Sequence, residues 1–306
     1  MGYQGQITMG ILSVSQWCSG HTFFVQQMHL AKKVEPYVVH ATFQFAGTEG
    51  KRHRFREAKL WIDPPDYYNP PRGVVTYVND VPADLLHRAA TEYNGKLDSS
   101  AAHFELVHHQ LQQLRNALGV ALALGRHLVL PKLMCGIDRV WFPHRGIFPG
   151  SQLKLPFQCP VDHVIEIQAF VATRPAYPVL EHSFLENPRT PDTLKNSVKD
   201  LTLGVDLTMN ATDVQIQTLL KGHENAKVLQ FDSLVGQVFA GFEDKTKNDE
   251  FQMRLKRATG IWGTAMSRPG HVHYDFFADV APWKDRHMRS RSKPWSLVGG
   301  EQPFPE

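Results

Sequence analysis

A chain of 306 residues with 33 Lys and Arg against 30 Asp and Glu carries a net charge of only +3, so no whole-chain field selects it for nucleic acid. Its 42% hydrophobic and 21% charged residues are the composition of an ordinary soluble globular protein, long enough for one large or two modest domains. No stretch approaches the ~20 apolar residues of a membrane span. Residues Met1 to Gln6 lack the basic and apolar regions of a signal peptide, so the literal reading is a cytosolic chain.

In chain order, Ile7 to Val14 and Pro36 to Gln44 read as short strands. Between them Phe24, Val25, Met28 and Ala31 predict a helix over Thr22 to Lys33. The proline-dense runs Asp63-Pro64-Pro65 and Asn69-Pro70-Pro71-Arg72-Gly73 predict a hinge, and the domain boundary is placed there. The expected division is residues 1–72, a second α/β domain over 73–285, and an extended or disordered tail over 286–306. The second block opens with a strand at Val74 to Val78, followed by a polar loop of some twenty residues. His103 to Leu124 is the clearest helix, with Leu111, Leu114, Leu118, Ala121 and Leu122 on one face. Gly125 is its left-handed C-terminal residue. A strand at His127 to Leu130, closed by Pro131, completes what reads as a right-handed βαβ unit in a parallel sheet. Strands at Val164 to Ile167 and Lys227 to Phe231 and a helix at Lys247 to Ile261 are also expected.

Three cysteines, Cys18, Cys135 and Cys159, make neither a zinc set nor a disulfide scaffold. Cys135 and Cys159 bracket a Gly/Pro-rich loop; an oxidising lumen would allow them to pair, worth roughly 3 to 4 kcal/mol on the chain-entropy model. Buried free thiols are the other reading. Asn210-Ala211-Thr212 fits the glycosylation pattern.

The strongest local signal is His40 at the end of a strand, followed by Gly47, Gly50 and the basic run Lys51-Arg52-His53-Arg54. Glycines let backbone amides approach a phosphate, and Lys or Arg neutralises it. An imidazole beside such a loop can complete the coordination of a divalent ion held by the same phosphates. A solvated basic turn beside a core histidine is the plain alternative.

The runs Cys18-Ser-Gly-His-Thr-Phe-Phe-Val-Gln, Glu35-Pro-Tyr-Val-Val-His40, Gly47-Thr-Glu-Gly-Lys-Arg-His-Arg and Glu57-Ala resemble the nucleotide-diphospho-sugar transferase superfamily. Within it, the chain is most similar to the plant extensin arabinosyltransferases. The likeness continues through Asp63-Pro-Pro-Asp-Tyr-Tyr, His103-Phe-Glu-Leu-Val-His-His-Gln, Asp138-Arg-Val-Trp-Phe, Pro156-Phe-Gln-Cys-Pro-Val-Asp-His-Val, Ser183-Phe-Leu-Glu-Asn-Pro, Arg257-Ala-Thr-Gly-Ile-Trp and Pro269-Gly-His-Val-His-Tyr-Asp. It covers most of residues 10–285 and is weaker between about 190 and 225. The resemblance implies an α/β chain: the C-terminal edge of a GT-A-like domain followed by a second, Rossmann-like α/β domain. It implies a Golgi enzyme that moves a sugar, L-arabinofuranose, from a UDP-sugar donor to cell-wall glycoprotein acceptors with Mn²⁺. On that pattern His40 is a metal ligand, and Gly47 and Lys51 contact the donor diphosphate. No Asp-x-Asp follows an apolar strand anywhere in the sequence, so the chain is expected to lack the other half of the donor site and to be inactive alone. A non-catalytic carbohydrate- or partner-binding module is the alternative.

His103, His109 and Gln110 at the start of the long helix are candidates for a second site, since this stretch also resembles the first Rossmann unit of fucosyltransferase-type enzymes; a polar helix start is the plainer reading. The run lacks the His-Glu-x-x-His register of a zinc site. His271, His273 and Asp275 alternate along a strand and share a face that would suit a metal or an acceptor hydroxyl; a structural strand end is the plainer reading. The basic run Lys51 to Arg56 is isolated, and no nucleic-acid-binding fold surrounds it.

Overall fold

The computed structural model describes residues 10–44, 47–94, 101–138, 149–172, 176–258, 260–265 and 268–273. The chain is α/β. The described residues open with strand β1 (Trp17–Ser19), a single π-turn (His21–Val25), helix α1 (Met28–Lys32) and strand β2 (Val38–His40). Helix α2 (Gly47–Glu57) follows, then strand β3 (Val74–Tyr77) and helices α3 (Ala83–Thr91) and α4 (Ala101–Leu124). Strands β4 (His127–Val129), β5 (Leu133–Cys135) and β6 (Phe157–Cys159), helix α5 (Gln168–Val171) and strand β7 (Val179–Leu180) come next. The remainder is α6 (Asp192–Lys195), β8 (Val198–Leu201), β9 (Ala211–Thr212), α7 (Asp213–Leu219), β10 (Val228–Phe231), β11 (Phe239–Gly241), α8 (Lys245–Ala258), β12 (Gly260–Ala265) and β13 (Arg268–His273).

The central sheet has five strands in the order β7-β4-β3-β10-β8, all parallel. Val74, Val75, Leu128, Val228, Leu229 and Phe231 are buried in it, the near-continuous apolar reading of a strand covered on both faces. Helix α4 supplies one cover: Leu111, Leu114, Ala117, Leu118 and Ala121 pack with Val75, Leu128 and Leu229 in the largest core cluster. The expected βαβ unit is therefore present, and Gly125 closes its helix at φ +65°. Gly119 is no interruption of α4. A Cβ there would lie 2.1 Å from the Phe239 ring, so the missing side chain is what lets β11 approach the helix.

Several expectations fail for identifiable reasons. Residues 10–14 are not a strand: Ile11 and Leu12 are exposed, and alternation without a packing partner forms no sheet. The helix expected over Thr22 to Lys33 is broken at Gln27, which has φ +49°. The fully buried Gln26 is recruited elsewhere: its carbonyl accepts from the Gln152 amide at 3.0 Å and its side chain reaches Asp138. The polar loop after β3 holds α3, whose Leu85 and Ala89 pack on Ala102 and Leu106. Val164 to Ile167 is not a strand but a turn, with the Val164 and Ile165 amides both donating to the Val161 carbonyl. An apolar run of that length does not by itself distinguish strand from other buried backbone. The last helix stops at Ala258, and Ile261 lies in β12, which pairs antiparallel with β13.

Cys135 and Cys159 form a disulfide between the antiparallel strands β5 and β6, and Cys18 is a buried free thiol. Among the described residues no helix is long and apolar enough to cross a membrane.

Candidate functional site

β1 and β2 pair in parallel, with Ser19 opposite His40, so His40 stands at the carboxyl end of its strand and is exposed. The stretch expected to be a glycine-rich basic loop is instead the helix α2. Its Lys, Arg and Glu are good helix formers, and Arg52 donates to Glu49 one turn back at 3.1 Å. Gly47 opens that helix at φ +56°, exposed. Helical geometry splits the basic run by face: Lys51 points to solvent, while His53 and Arg54 are buried.

The inward face of α2 builds the densest ionic cluster among the described residues. Arg54, 0% exposed, donates from Nε to both Asp162 oxygens at 3.0 Å and from Nη2 to His163 Nδ1 at 3.5 Å. The far side of the His163 ring faces Asp138, with Nε2 3.6 Å from Oδ1. The other Asp138 oxygen accepts from His21 Nε2 at 2.6 Å. Burial pushes the Asp162 carboxyl up, but the Arg54 charge and its bonds to His163 and Arg54 outweigh this and hold it well below the usual range. Asp138 behaves alike: burial raises it, and hydrogen bonds from His163 and His21 bring it down. His21 and Arg54 precede the expected boundary near residue 72, and Asp138, Asp162 and His163 follow it, so this cluster ties the two segments together.

At the C-terminal end of α2, Glu57 sees the opposite balance. Burial and the nearby Asp162 charge push its carboxyl up to about 8, although Oε1 accepts from the Val161 amide at 3.1 Å. His53 Nε2 lies 3.6 Å from Glu57 Oε1, the spacing of an ion pair, yet burial and then the Arg56 charge push that imidazole down to about 3. At neutral pH both groups are uncharged. Beside them Tyr67 donates to Glu181 at 2.5 Å, Arg56 pairs with Asp63, and the Arg56 guanidinium lies 4.4 Å from the Tyr67 ring centre. A cavity of about 210 Å³ opens between this cluster and β6, with Phe23, Phe24, His29, Glu57, Gln158 and His182 in its wall.

The carboxyl edge of the sheet holds the second candidate region. Connections leave β3 toward β4 on one side, whereas β10 lies on the other, so the strand order reverses between them, where α/β sheets form ligand crevices. Asn79 and Asp80 follow β3 there, and Asp232 and Ser233 follow β10. His109 Nε2 donates to the Asp80 carbonyl at 2.6 Å, Gln110 accepts from Asn79 at 2.9 Å, and Ser233 Oγ donates to Asp80 Oδ2 at 3.1 Å. His109 and Gln110 are thus brought together with the switch point. His103 is not: its Nδ1 accepts from the Gly136 amide at 3.1 Å and fixes the turn after β5. His271 and His273 fall in β13, in register with Trp262 and Gly260, and Asp275 lies outside the described residues.

A cavity of about 770 Å³ is at the opposite, amino edge of the sheet, lined by Arg72, Arg126 and Lys221 among others. Arg126 is occupied structurally, donating to the carbonyls of Ala226, His223 and Glu224. Volume alone therefore does not locate the chemistry.

Reasoning from sequence gave Arg54, Glu57, Asp138, Asp162, His163 and Glu181 no individual role. The available signal was charge inside apolar runs, as in Pro160-Val-Asp-His-Val, since charged residues are seldom fully buried unless paired. For Mn²⁺ the candidate set reduces to one exposed imidazole, His40. Among the described residues no three His, Cys, Asp or Glu are gathered so as to share an ion. They fit such an ion as a single ligand and not as a site.

The chain is 38% identical over 308 aligned residues to the arabinosyltransferase XEG113 of Arabidopsis thaliana, across 92% of this chain and 47% of that protein. It belongs to an arabinosyltransferase-related family. The chain spans about half the length of the curated relative it matches. No family model matches it, and no solved structure matches it.

Proposed function

We propose that the polypeptide containing this chain transfers L-arabinofuranose from a UDP-sugar to arabinosylated cell-wall glycoproteins, and that the described residues do not complete its donor site. The observation that carries this reading is the 38% identity sustained over 92% of the chain. Two structural features support it. A two-stranded parallel sheet is unusual by itself, because parallel strands are normally covered on both faces. β1 and β2 leave Trp17, Val38 and the adjacent Tyr37 exposed, as strands at the edge of a larger GT-A-like sheet would. The second support is the Cys135–Cys159 disulfide, which suits an oxidising compartment such as the Golgi lumen.

In this reading His40 contributes one ligand to a manganese ion, and Gly47 and Lys51 meet the donor diphosphate from the start of α2. When bound, the ion supplies charge neutralisation for the leaving diphosphate. The test is UDP binding by the native polypeptide, titrated with manganese, in wild type and His40→Ala. Loss of the manganese dependence in the variant is expected; unchanged dependence removes His40 from the site. A sugar-binding role without catalysis is the second reading, favoured by the small uncharged cavity beside Glu57.

A further inference from the structure

The cavity beside α2 has features that the donor-site reading leaves unused. Its wall combines aromatic and apolar surface from Phe23, Phe24, Leu30 and Pro160 with polar groups from Gln27, His29, Glu57, Gln158 and His182. Phe23 is braced by His29, stacked at 4.4 Å and nearly parallel. Also in the wall, Gln158 and His182 face each other at 3.1 Å. Gln158 projects from the outer face of β6 between the buried Phe157 and Cys159, and the disulfide at Cys159 anchors that strand to β5.

Three properties define what this space accepts. No Lys or Arg lines it, so a phosphate or diphosphate would find no counter-charge. At about 210 Å³ it is smaller than the roughly 300 Å³ at which pockets for drug-sized ligands begin, too small for a nucleotide. Its lining is uncharged at neutral pH, since Glu57 ionises only at about 8 and burial pushes His182 down to about 4. A saccharide ring has matching chemistry: an apolar C–H face for aromatic and aliphatic side chains, and hydroxyls at its rim for carboxyl, amide and imidazole.

We propose that the cavity bounded by Phe23, Glu57, Gln158 and His182 is a subsite for one neutral monosaccharide ring. The proposal rests on the arabinosyltransferase reading for the identity of the sugar but not for the existence of the subsite. The ring lies with its C–H face against Phe23, and Gln158 and Glu57 hydrogen-bond its hydroxyls.

The test is ligand-observed NMR titration of the full chain with methyl α-L-arabinofuranoside and, separately, with xylose, galactose and glucose. Wild type is compared with Gln158→Leu and Phe23→Ala. Gln158 is exposed, so thermal melting of Gln158→Leu should match wild type, while sugar binding weakens about five- to tenfold on loss of one hydrogen-bonding group. Binding of the arabinofuranoside that falls in both variants supports the subsite and the arabinosyl reading together. Binding of another monosaccharide only, with the same loss in the variants, supports the subsite and overturns the arabinosyl reading. Arabinofuranoside binding unchanged in both variants overturns the subsite and leaves the arabinosyl reading standing. No monosaccharide binding at high millimolar concentration also overturns it.

Discussion

Replacing Arg54 by Met removes the positive charge from the centre of the buried cluster while keeping most of the side-chain volume. Asp162, 1% exposed, would then lose three Arg54 contacts at 2.9 to 3.0 Å, while His163 stays 3.6 Å away. Breaking one partner from a buried pair costs about 3–5 kcal/mol, because the remaining charge is left uncompensated. Against a total stability of about 5–15 kcal/mol, that is a large share. Removing both partners, as in Arg54→Met with Asp162→Leu, should recover at least about 2 kcal/mol of the loss, since no orphan charge remains. Urea denaturation at pH 7 of wild type, both single variants and the double variant measures the cycle directly. Limited proteolysis of Arg54→Met should show new cleavage within residues 10–72, because Arg54 anchors that segment to Asp162. A cost below about 1 kcal/mol, or a double variant no more stable than the worse single, would refute the view that this pair clamps the two segments.

Glu57→Gln tests the raised carboxyl. The folded protein holds that proton to about pH 8, whereas the unfolded chain releases it near 4.5, so ionisation is a penalty on folding. The penalty is absent below pH 4.5, grows as pH rises, and is complete above pH 8, with a ceiling of roughly 5 kcal/mol at 1.36 kcal/mol per pKa unit. The variant should match wild type at pH 4 and exceed its stability at pH 8.5; a pH-independent difference in denaturation midpoints would count against the shift. Cys135→Ser with Cys159→Ser opens a ring of sequence separation 24 and should cost about 3.5 kcal/mol on the chain-entropy model. The same loss should appear in wild type under reductant, and a loss below 1 kcal/mol would remove the disulfide as a staple. Gly119→Ala would gain about 1 kcal/mol in an exposed helix, but here the new methyl meets the Phe239 ring at 2.1 Å. Overpacking of about 1–3 kcal/mol should win, giving a lower melting temperature; a higher one would mean that Phe239 moves aside.

Elements whose local pattern agrees with their tertiary role were legible in the sequence. α4 shows one apolar stripe with a terminal glycine, and β3, β4 and β10 show β-branched and apolar runs beside turn residues. Illegible were segments where a tertiary contact overrides local preference. Gln26 is pulled into the Asp138 cluster and breaks a helix that propensity favours, and Val164 to Ile167 are apolar because they are buried, without being a strand. The site divided in the same way. The family motifs pointed to the segment from His21 to Glu57, but the expected loop at Gly47 to Arg54 is a helix, and only its period of 3.6 reveals that Arg54 faces inward while Lys51 does not. Arg54 with Asp162, and His21 with Asp138, are more than a hundred residues apart in sequence. No local pattern encodes such pairs. Glu57 owes its proton to burial, which sequence spacing does not carry.

The central claim is arabinosyl transfer, and a transfer assay tests it most directly. The native polypeptide would be given UDP-L-arabinofuranose labelled in the sugar, manganese, and a peptide bearing hydroxyproline-linked arabinose. The account predicts label covalently attached to the peptide and reduced incorporation by His40→Ala. Intact donor with unlabelled peptide, or free labelled arabinose as the sole product, would contradict it.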